Sequence, residues 1–352
     1  GADALAAVNL VMPLLLISFA LIDLVAVGSS VQIAIRLGEQ KSEEASRIFS
    51  FCSKLILLLS LLIGAAGFFL AGPAVALMGA ERQVTAMAVD YLRVYALLAP
   101  FIMLFFALDN YLRICGRVRY SMILNVVTAL LNIVLDFLFL VVFRWGVAAA
   151  AAASCLSIAL GTVLGFLPFV MGRLPLRFVR GTISARQLGN ILANGSSEFF
   201  SSIAGSVMMV ILNSVLLRLS GSMAVAAFSI VMYVDSIVGS LLFGMADSIQ
   251  PAISYNYGAK KLERVKEAFF CQFLVCVGYT TVFWLLVMAF PKVFAGIFTS
   301  DGALVDYTAW AIRIFLAGTF SVGFQVSCQL AFMALGQAKI SLIMACLRKL
   351  IL

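Results

Sequence analysis

Of the 352 residues, 64% are hydrophobic and only 11% are charged, against roughly 45 to 50% apolar usage in soluble domains, and mean hydropathy is +1.12. This excludes a soluble globular protein and defines an integral membrane one. With no histidine in the chain, His-based metal sites and Ser-His catalysis are excluded, and no GxxxxGK[ST] stretch is present for P-loop nucleotide hydrolysis.

A helix needs about 20 apolar residues to cross a hydrocarbon core roughly 30 Å thick. Such stretches are predicted in chain order at 4–36, 49–71, 84–110, 120–143, 147–171, 195–218, 223–255, 268–290 and 304–334, and a last one opens at 340. That makes nine complete spans and one partial. Spanning β-strands would be about ten residues long and strictly alternating, which these continuous runs are not. The run GVAAAAAASCLS from Gly146 reads as close helix packing through small residues.

The formal net charge is +8, but the bases are sorted by helix connection. Arg36, Lys41, Arg47 and Lys54, then Arg113, Arg117 and Arg119, then Arg173, Arg177, Arg180 and Arg186, then Lys260, Lys261, Arg264 and Lys266, and finally Lys339 occupy alternate connections. The others hold only Arg82, Arg144, Arg218 and Lys292. By the positive-inside rule the first set is cytoplasmic and the first span runs inward. A nucleic-acid surface would not alternate with helix number, so no nucleic-acid partner is expected. The expected location is the inner (plasma) membrane, multi-pass. The seven cysteines (Cys52, Cys115, Cys155, Cys271, Cys276, Cys328, Cys346) lie in or beside apolar spans and read as buried small hydrophobes.

A shift of 220 residues lays ALAAVNLVM at Ala4 on AVAAFSIVM at Ala224 without a gap. The same register pairs Gly38 with Gly258, Lys41 with Lys261, Glu43 with Glu263, Arg93 with Arg313 and Gly116 with Gly336. Six spans separate each segment from its copy, so the halves share one orientation and are related by an axis along the membrane normal. The expected fold is all-α and integral to the membrane, with two six-helix lobes related by a parallel pseudo-two-fold repeat and twelve helices in the whole protein. Relative to that pattern, this chain is expected to lack the first helix, most of the eleventh and the twelfth. The lobes are placed at 1–172 and 195–352, joined by a cytoplasmic linker at 173–194.

QPAISYNYGAKK closing a long helix at Gln250, its partner IRLGEQK at Ile35, and NIVLDFLFL at Asn132 together resemble the multidrug and toxic compound extrusion (MATE) family over essentially the whole chain. The resemblance implies antiport: Na+ or H+ enters while an organic cation leaves by alternating access between the lobes. With no nucleophile-base or metal constellation in the sequence, no enzymatic activity is expected, nor a cofactor beyond the coupling ion, and a monomer in membrane lipid is expected. The alternative function is a flippase of lipid-linked or polysaccharide precursors, which would share repeat and helix count; basic residues inside the cavity would favour it.

A carboxylate at mid-bilayer costs roughly 2.5 to 3.5 kcal/mol on insertion scales and is a functional candidate. Asp136 comes first: Asn125, Thr128, Asn132 and Asp136 form a polar stripe at near-helical spacing. A carboxylate with amide oxygens nearby suits Na+, and a desolvated one suits a proton. The resemblance implies that Asn132 and Asp136 belong to the ion site of the first lobe, with Ser154 supplying a hydroxyl. Asp235 and Asp247 are twelve apart on one helix with Gly239 and Phe243 between them on the same face, a pattern suited to a cation-accepting cavity. Glu198, at the start of the next lobe, is a further candidate for that cavity. Pro251 is expected to bend or loosen its helix and Gly258 to end it at a positive φ, together forming a hinge. Arg93 and Arg313 are expected to pair with acids such as Asp90 and Asp306.

Overall fold

The computed structural model describes residues 2–76 and 82–350; the side chains at 2–6, 9, 147, 210, 213, 214, 217–222 and 348–350 lie outside the described set. Among the described residues there are only helices: α1 (Ala2–Gly38), α2 (Ser42–Phe69), α3 (Ala71–Ala76), α4 (Arg82–Ile114), α5 (Val118–Asp136) running into a π-helical turn (Phe137–Val142), α6 (Val147–Val170), α7 (Ala185–Gly258), α8 (Leu262–Ala289), α9 (Pro291–Gly296), α10 (Gly302–Phe315), α11 (Thr319–Ala334) and α12 (Ala338–Leu350). Among the described residues, seven helical segments are long and apolar enough to cross a membrane, and α10 with α11 makes an eighth if the pair is one bent span.

The 220-residue register recurs in the backbone. Helices α2 and α8 share their bounds under it, as do α3 and α9, and α4 covers the same stretch as α10 plus α11. Corners match bond for bond. After α1, Gln40 N–H donates to Leu37 O and Lys41 N–H to Arg36 O; after α7, Lys260 donates to Tyr257 O and Lys261 to Asn256 O. The corners after α4 and α11 repeat the pattern at Gly116–Arg117 and Gly336–Gln337. Each is a Schellman stop, in which paired reverse bonds satisfy the last helical carbonyls.

The chain divides into two compact units, Gly1–Phe199 and Phe200–Leu352. In the first, small residues let backbones meet. A Cβ on Gly28 would stand 2.0 Å from Ile191 O, and one on Gly195 would stand 2.0 Å from Leu24 O, so α1 and the start of α7 touch through a reciprocal glycine pair. Helix α6 approaches α4 and α5 at Gly161 and Gly165, where a Cβ would collide with Thr128, Phe105 and Leu108. The small-residue run at the start of α6 thus packs as expected, with Ala151 and Ala153 buried. The segment after α6 is tied down too: Ser46 and Ser50 of α2 accept from the backbone N–H groups of Arg177 and Val179, and Phe178 lies against Phe49.

In the second unit, polar side chains hold the helices together. Gln325 Nε2 donates to Met344 O at 2.7 Å, Ser341 Oγ to Gln329 O, and Ser254 Oγ to Ala334 O. A Cβ on Gly323 would be 2.3 Å from Thr280 Oγ1, which places α11 directly on α8.

Several local expectations are revised. The stretch at 304–334 is not one straight span but two helices bent by 46° across Leu316–Gly318. The span expected at 223–255 lies within the Met223–Gly258 stretch of α7, which is long and apolar enough to cross a membrane. The one expected at 195–218 runs across the boundary between the two units, and several of its side chains, Arg218 included, lie outside the described set. Pro251 does not interrupt α7, and Gly258 is its last helical residue. Gly258 is not among the positive-φ residues; the reversal falls at Lys260, φ 58°. The Schellman geometry requires the left-handed residue two places beyond the last helical one, whatever its side chain. Arg93 sits over the Phe68 ring, 5.8 Å from its centre, and Asp306 pairs with Lys292 at 2.7 Å; the expected Arg93–Asp90 and Arg313–Asp306 pairs are not found among the ion pairs of the described residues.

Candidate functional site

Helices α5 and α6 bring the first predicted group together. Asn132 Nδ2 donates to Ser154 Oγ at 3.1 Å, and Asp136, one turn further along α5, lies on the same face as Asn132 and within its electrostatic reach. All three are half-buried. Local sequence explains the arrangement. Asn132 and Asp136 share a face because four residues nearly complete a turn, and the alanine-rich start of α6 lets Ser154 approach it. The opposite face of α5 is apolar and exposed, with Ile133 at 63%, as suits contact with lipid. The π-helical turn begins at the residue after Asp136, and its wider winding ends at Arg144, φ 55°, and Gly146, φ 85°. Such turns occur frequently at functional sites, because they displace a side chain from its helical register. Phe139, Phe143 and Trp145 stack just beyond it, with centroids 5.0 to 6.5 Å apart.

Asn125 does not join this group. Two turns nearer the cytoplasmic end, its Nδ2 donates to Asp109 Oδ1 at 2.7 Å; Asp109 also accepts from Ser121 and pairs with Arg113 at 2.6 Å. The stripe therefore divides by depth into a charged cytoplasmic cluster and a deeper Asn132–Asp136–Ser154 group. Thr128, between them, is buried against α6 at Gly161.

On α7, Asp235, Gly239, Phe243 and Asp247 form a half-buried line, bordered on one side by buried Val234, Val238, Leu242 and Ala246 and on the other by exposed Ser236, Ser240, Gly244 and Ser248. The four-residue spacing thus gives the shared face expected. Glu198 lies in the first unit, half-buried near the start of α7.

Two residues beside these groups escaped the sequence reading. Tyr91 of α4 lies within electrostatic range of Asp136 and packs with Cys155; only the fold connects it to Asp136. Asp23 is a half-buried acid inside α1, and the 220-residue register puts it opposite Phe243. Here a signal was present: the same alignment that exposed the repeat pairs Asp23 with Phe243, a position of the acid-bearing stripe.

A polytopic helical bundle with a parallel internal repeat and acids within its spans has the architecture of a secondary transporter. The chain belongs to the MatE family, which it matches over residues 1–138 and 199–352, and is a multi-pass protein of the plasma membrane. It is 26% identical over 349 residues to the multidrug export protein MepA of Staphylococcus aureus (strain N315), covering 98% of this chain and 76% of that protein. Among solved structures, it is similar to the MATE multidrug transporter DinF-BH, at 30% identity and a TM-score of 0.91, over 100% of this chain and 79% of that one. It is also similar to a MOP superfamily transporter from Pyrococcus furiosus Vc1 (DSM3638), described as having a binding pocket of reverse polarity, at 25% identity and a TM-score of 0.92, with the same coverage.

Proposed function

We propose that this chain is a multidrug efflux transporter that exports organic cations in exchange for Na+ or H+ by alternating access. The observation that carries the reading is Asp136, a half-buried acid inside a lipid-facing helix, beside an asparagine that a second helix holds in place through Ser154. Such a carboxylate is retained within a span for a purpose. Asn132 can turn its amide oxygen toward Na+, or donate to the carboxylate once the ion has gone; a proton would instead sit on Asp136 itself. The family and its multidrug-exporting relatives support the efflux reading.

In this reading Asp136, Asn132 and Ser154 bind the coupling ion. Asp235, Phe243 and Asp247 form the stripe that receives the organic cation through charge and an aromatic face, and Glu198, in the first unit, is a separate candidate acid for the substrate. Pro251 has no N–H to give to the Asp247 carbonyl one turn back, so the hinge proposed at Pro251 and Gly258 begins at an acid of that stripe. The moving bodies are the lobes at 1–172 and 195–352 with the linker at 173–194 between them, in a monomer that needs no cofactor besides the ion. One-for-one exchange of monovalent cations moves no net charge and draws on the ion's concentration gradient alone. A second ion per cycle would add about 2.3 kcal/mol per 100 mV.

The test is reconstitution of the full-length protein in liposomes, following a fluorescent organic cation under a pH gradient, a sodium gradient, or neither. Movement driven by one gradient supports antiport and names the ion. No movement under either, in folded protein, rejects the reading in favour of flipping lipid-linked precursors.

A further inference from the structure

At the cytoplasmic edge of the first unit a cavity of about 180 Å³ is lined by Arg117, Tyr120, Pro168, Arg173 and Leu174. Its construction follows from two Schellman stops. Arg117 N–H donates to Leu112 O after α4, and Arg173 N–H donates to Pro168 O after α6, with Gly116 at φ 75° and Gly172 at φ 67° making the reversals. Both stops bring an arginine to the lining of the same corner. Tyr120 Oη donates to Leu164 O at 2.8 Å, fixing its ring as one wall, and buried Leu174 closes the floor.

The charge of this corner is uncompensated. Neither Arg117 nor Arg173 has a carboxylate within ion-pair distance among the described residues, whereas neighbouring Arg113 is neutralised by Asp109. Between Asp109 and Glu198 the sole acidic residue is Asp136, far along α5 at the other end of the span. Leading away from the cavity into the membrane, the outer faces of α5 and α6 are apolar and exposed, with Met122 at 59% and Val170 at 72%.

We propose that this cavity binds the phosphate of an anionic phospholipid from the cytoplasmic leaflet, held between the Arg117 and Arg173 guanidinium groups while its acyl chains lie along Met122, Val126 and Val170. Guanidinium recognises phosphate oxygens through paired N–H donors, and basic pockets between helices on the cytoplasmic side suit lipid headgroups. The apolar track beside the cavity argues for a lipid over a soluble phosphate.

Native mass spectrometry of the purified full-length protein tests this, with phosphatidylglycerol, phosphatidylcholine and glycerol 1-phosphate as probes. Wild type is expected to retain phosphatidylglycerol about tenfold or more over phosphatidylcholine. In Arg117→Gln/Arg173→Gln the preference should fall below about twofold, while Arg180→Gln/Arg186→Gln, on the same side but outside the cavity, should keep it. Equal retention of both lipids overturns the proposal. So does equal loss in both double variants, which would mean diffuse surface charge, and so does displacement of the lipid by equimolar glycerol 1-phosphate, which would mean a soluble-phosphate site. Should the first double variant fail to fold, photoactivatable phosphatidylglycerol on the wild type decides: labelling is expected in peptides carrying residues 117–122 and 168–174, and labelling elsewhere on the cytoplasmic face overturns the assignment.

Discussion

Gln40 and Lys260 stand 220 residues apart and share the left-handed backbone, φ 63° and 58°, each at the reversal that ends a long helix with the same pair of hydrogen bonds. A side chain there costs roughly 1 to 2 kcal/mol relative to glycine's freedom, offset by glycine's greater loss of chain entropy. Gln40→Gly and Lys260→Gly should therefore each raise stability by about 0.5 to 1 kcal/mol. Gly336→Ala, at φ 72°, should lower it by a similar amount. Thermal unfolding in detergent measures all three, and a loss of stability in either glycine variant would mean that the side chain makes a compensating contact.

The glycine contacts give a graded series. Gly195→Ala drives a methyl into the Leu24 carbonyl, a backbone atom that cannot turn aside, and should cost about 1 to 3 kcal/mol. Gly165→Ala meets the end of the Leu108 side chain, which can rotate, and should cost less. Gly244, exposed on α7 with nothing within 4 Å, should accept alanine with no loss and a gain from helix propensity. The same unfolding measurement checks the order.

Much of this was legible from sequence because it rests on composition and spacing. Continuous apolar runs could only be spans, and Gly116/Gly336 and Lys41/Lys261 put the repeat in a register that the backbone reproduces. What escaped depends on packing and hydrogen-bond geometry. Gly258 looked like the helix stop because glycine usually is, yet the reversal falls on Lys260. Pro251 was expected to bend or loosen α7, yet the helix continues past it to Gly258, while among the described residues a bend of 46° falls at Leu316–Gly318, where there is no proline. In the candidate site, the Asn132–Asp136 spacing could be read directly. Tyr91 could not, since only the packing of α4 carries it to Asp136, and no sequence signal separated Asn125 from the deeper group.

At the first cytoplasmic corner, Glu39 takes hydrogen bonds from Lys41 at 2.9 Å and Arg36 at 2.7 Å. Burial pushes its carboxyl upward, but the bonds and charges of Lys41 and Arg36 outweigh it and hold the carboxyl below the ordinary value of 4.5. A depressed folded-state pKa adds stability above the unfolded-state value, lost as pH falls through the folded one. Glu39→Gln should therefore be less stable than wild type at pH 7, with the gap closing below about pH 4.5. A gap constant with pH would show that the ion pairs contribute nothing.

The Asn132–Ser154 bond predicts how the coupling ion is held. In the proposed antiport, Asn132→Ala would remove one side-chain ligand and the bond that orients it, together worth about 1.4 kcal/mol, so the apparent affinity for the coupling ion should fall about tenfold. Ser154→Ala keeps the amide and should lose less. Transport rate against ion concentration separates the two, and equal losses would make Ser154 a direct ligand and not only a support for Asn132.

Asp136→Asn in liposomes offers the most direct test of coupled antiport. Wild type and variant, matched for folded protein, are loaded with a fluorescent organic cation and assayed for uphill movement under the ion gradient and for exchange of labelled against unlabelled cation without a gradient. Loss of uphill movement with exchange retained is the predicted result, since the asparagine leaves the substrate path intact and removes the charge that ties it to the ion. Full uphill transport in the variant would contradict the coupling role of Asp136.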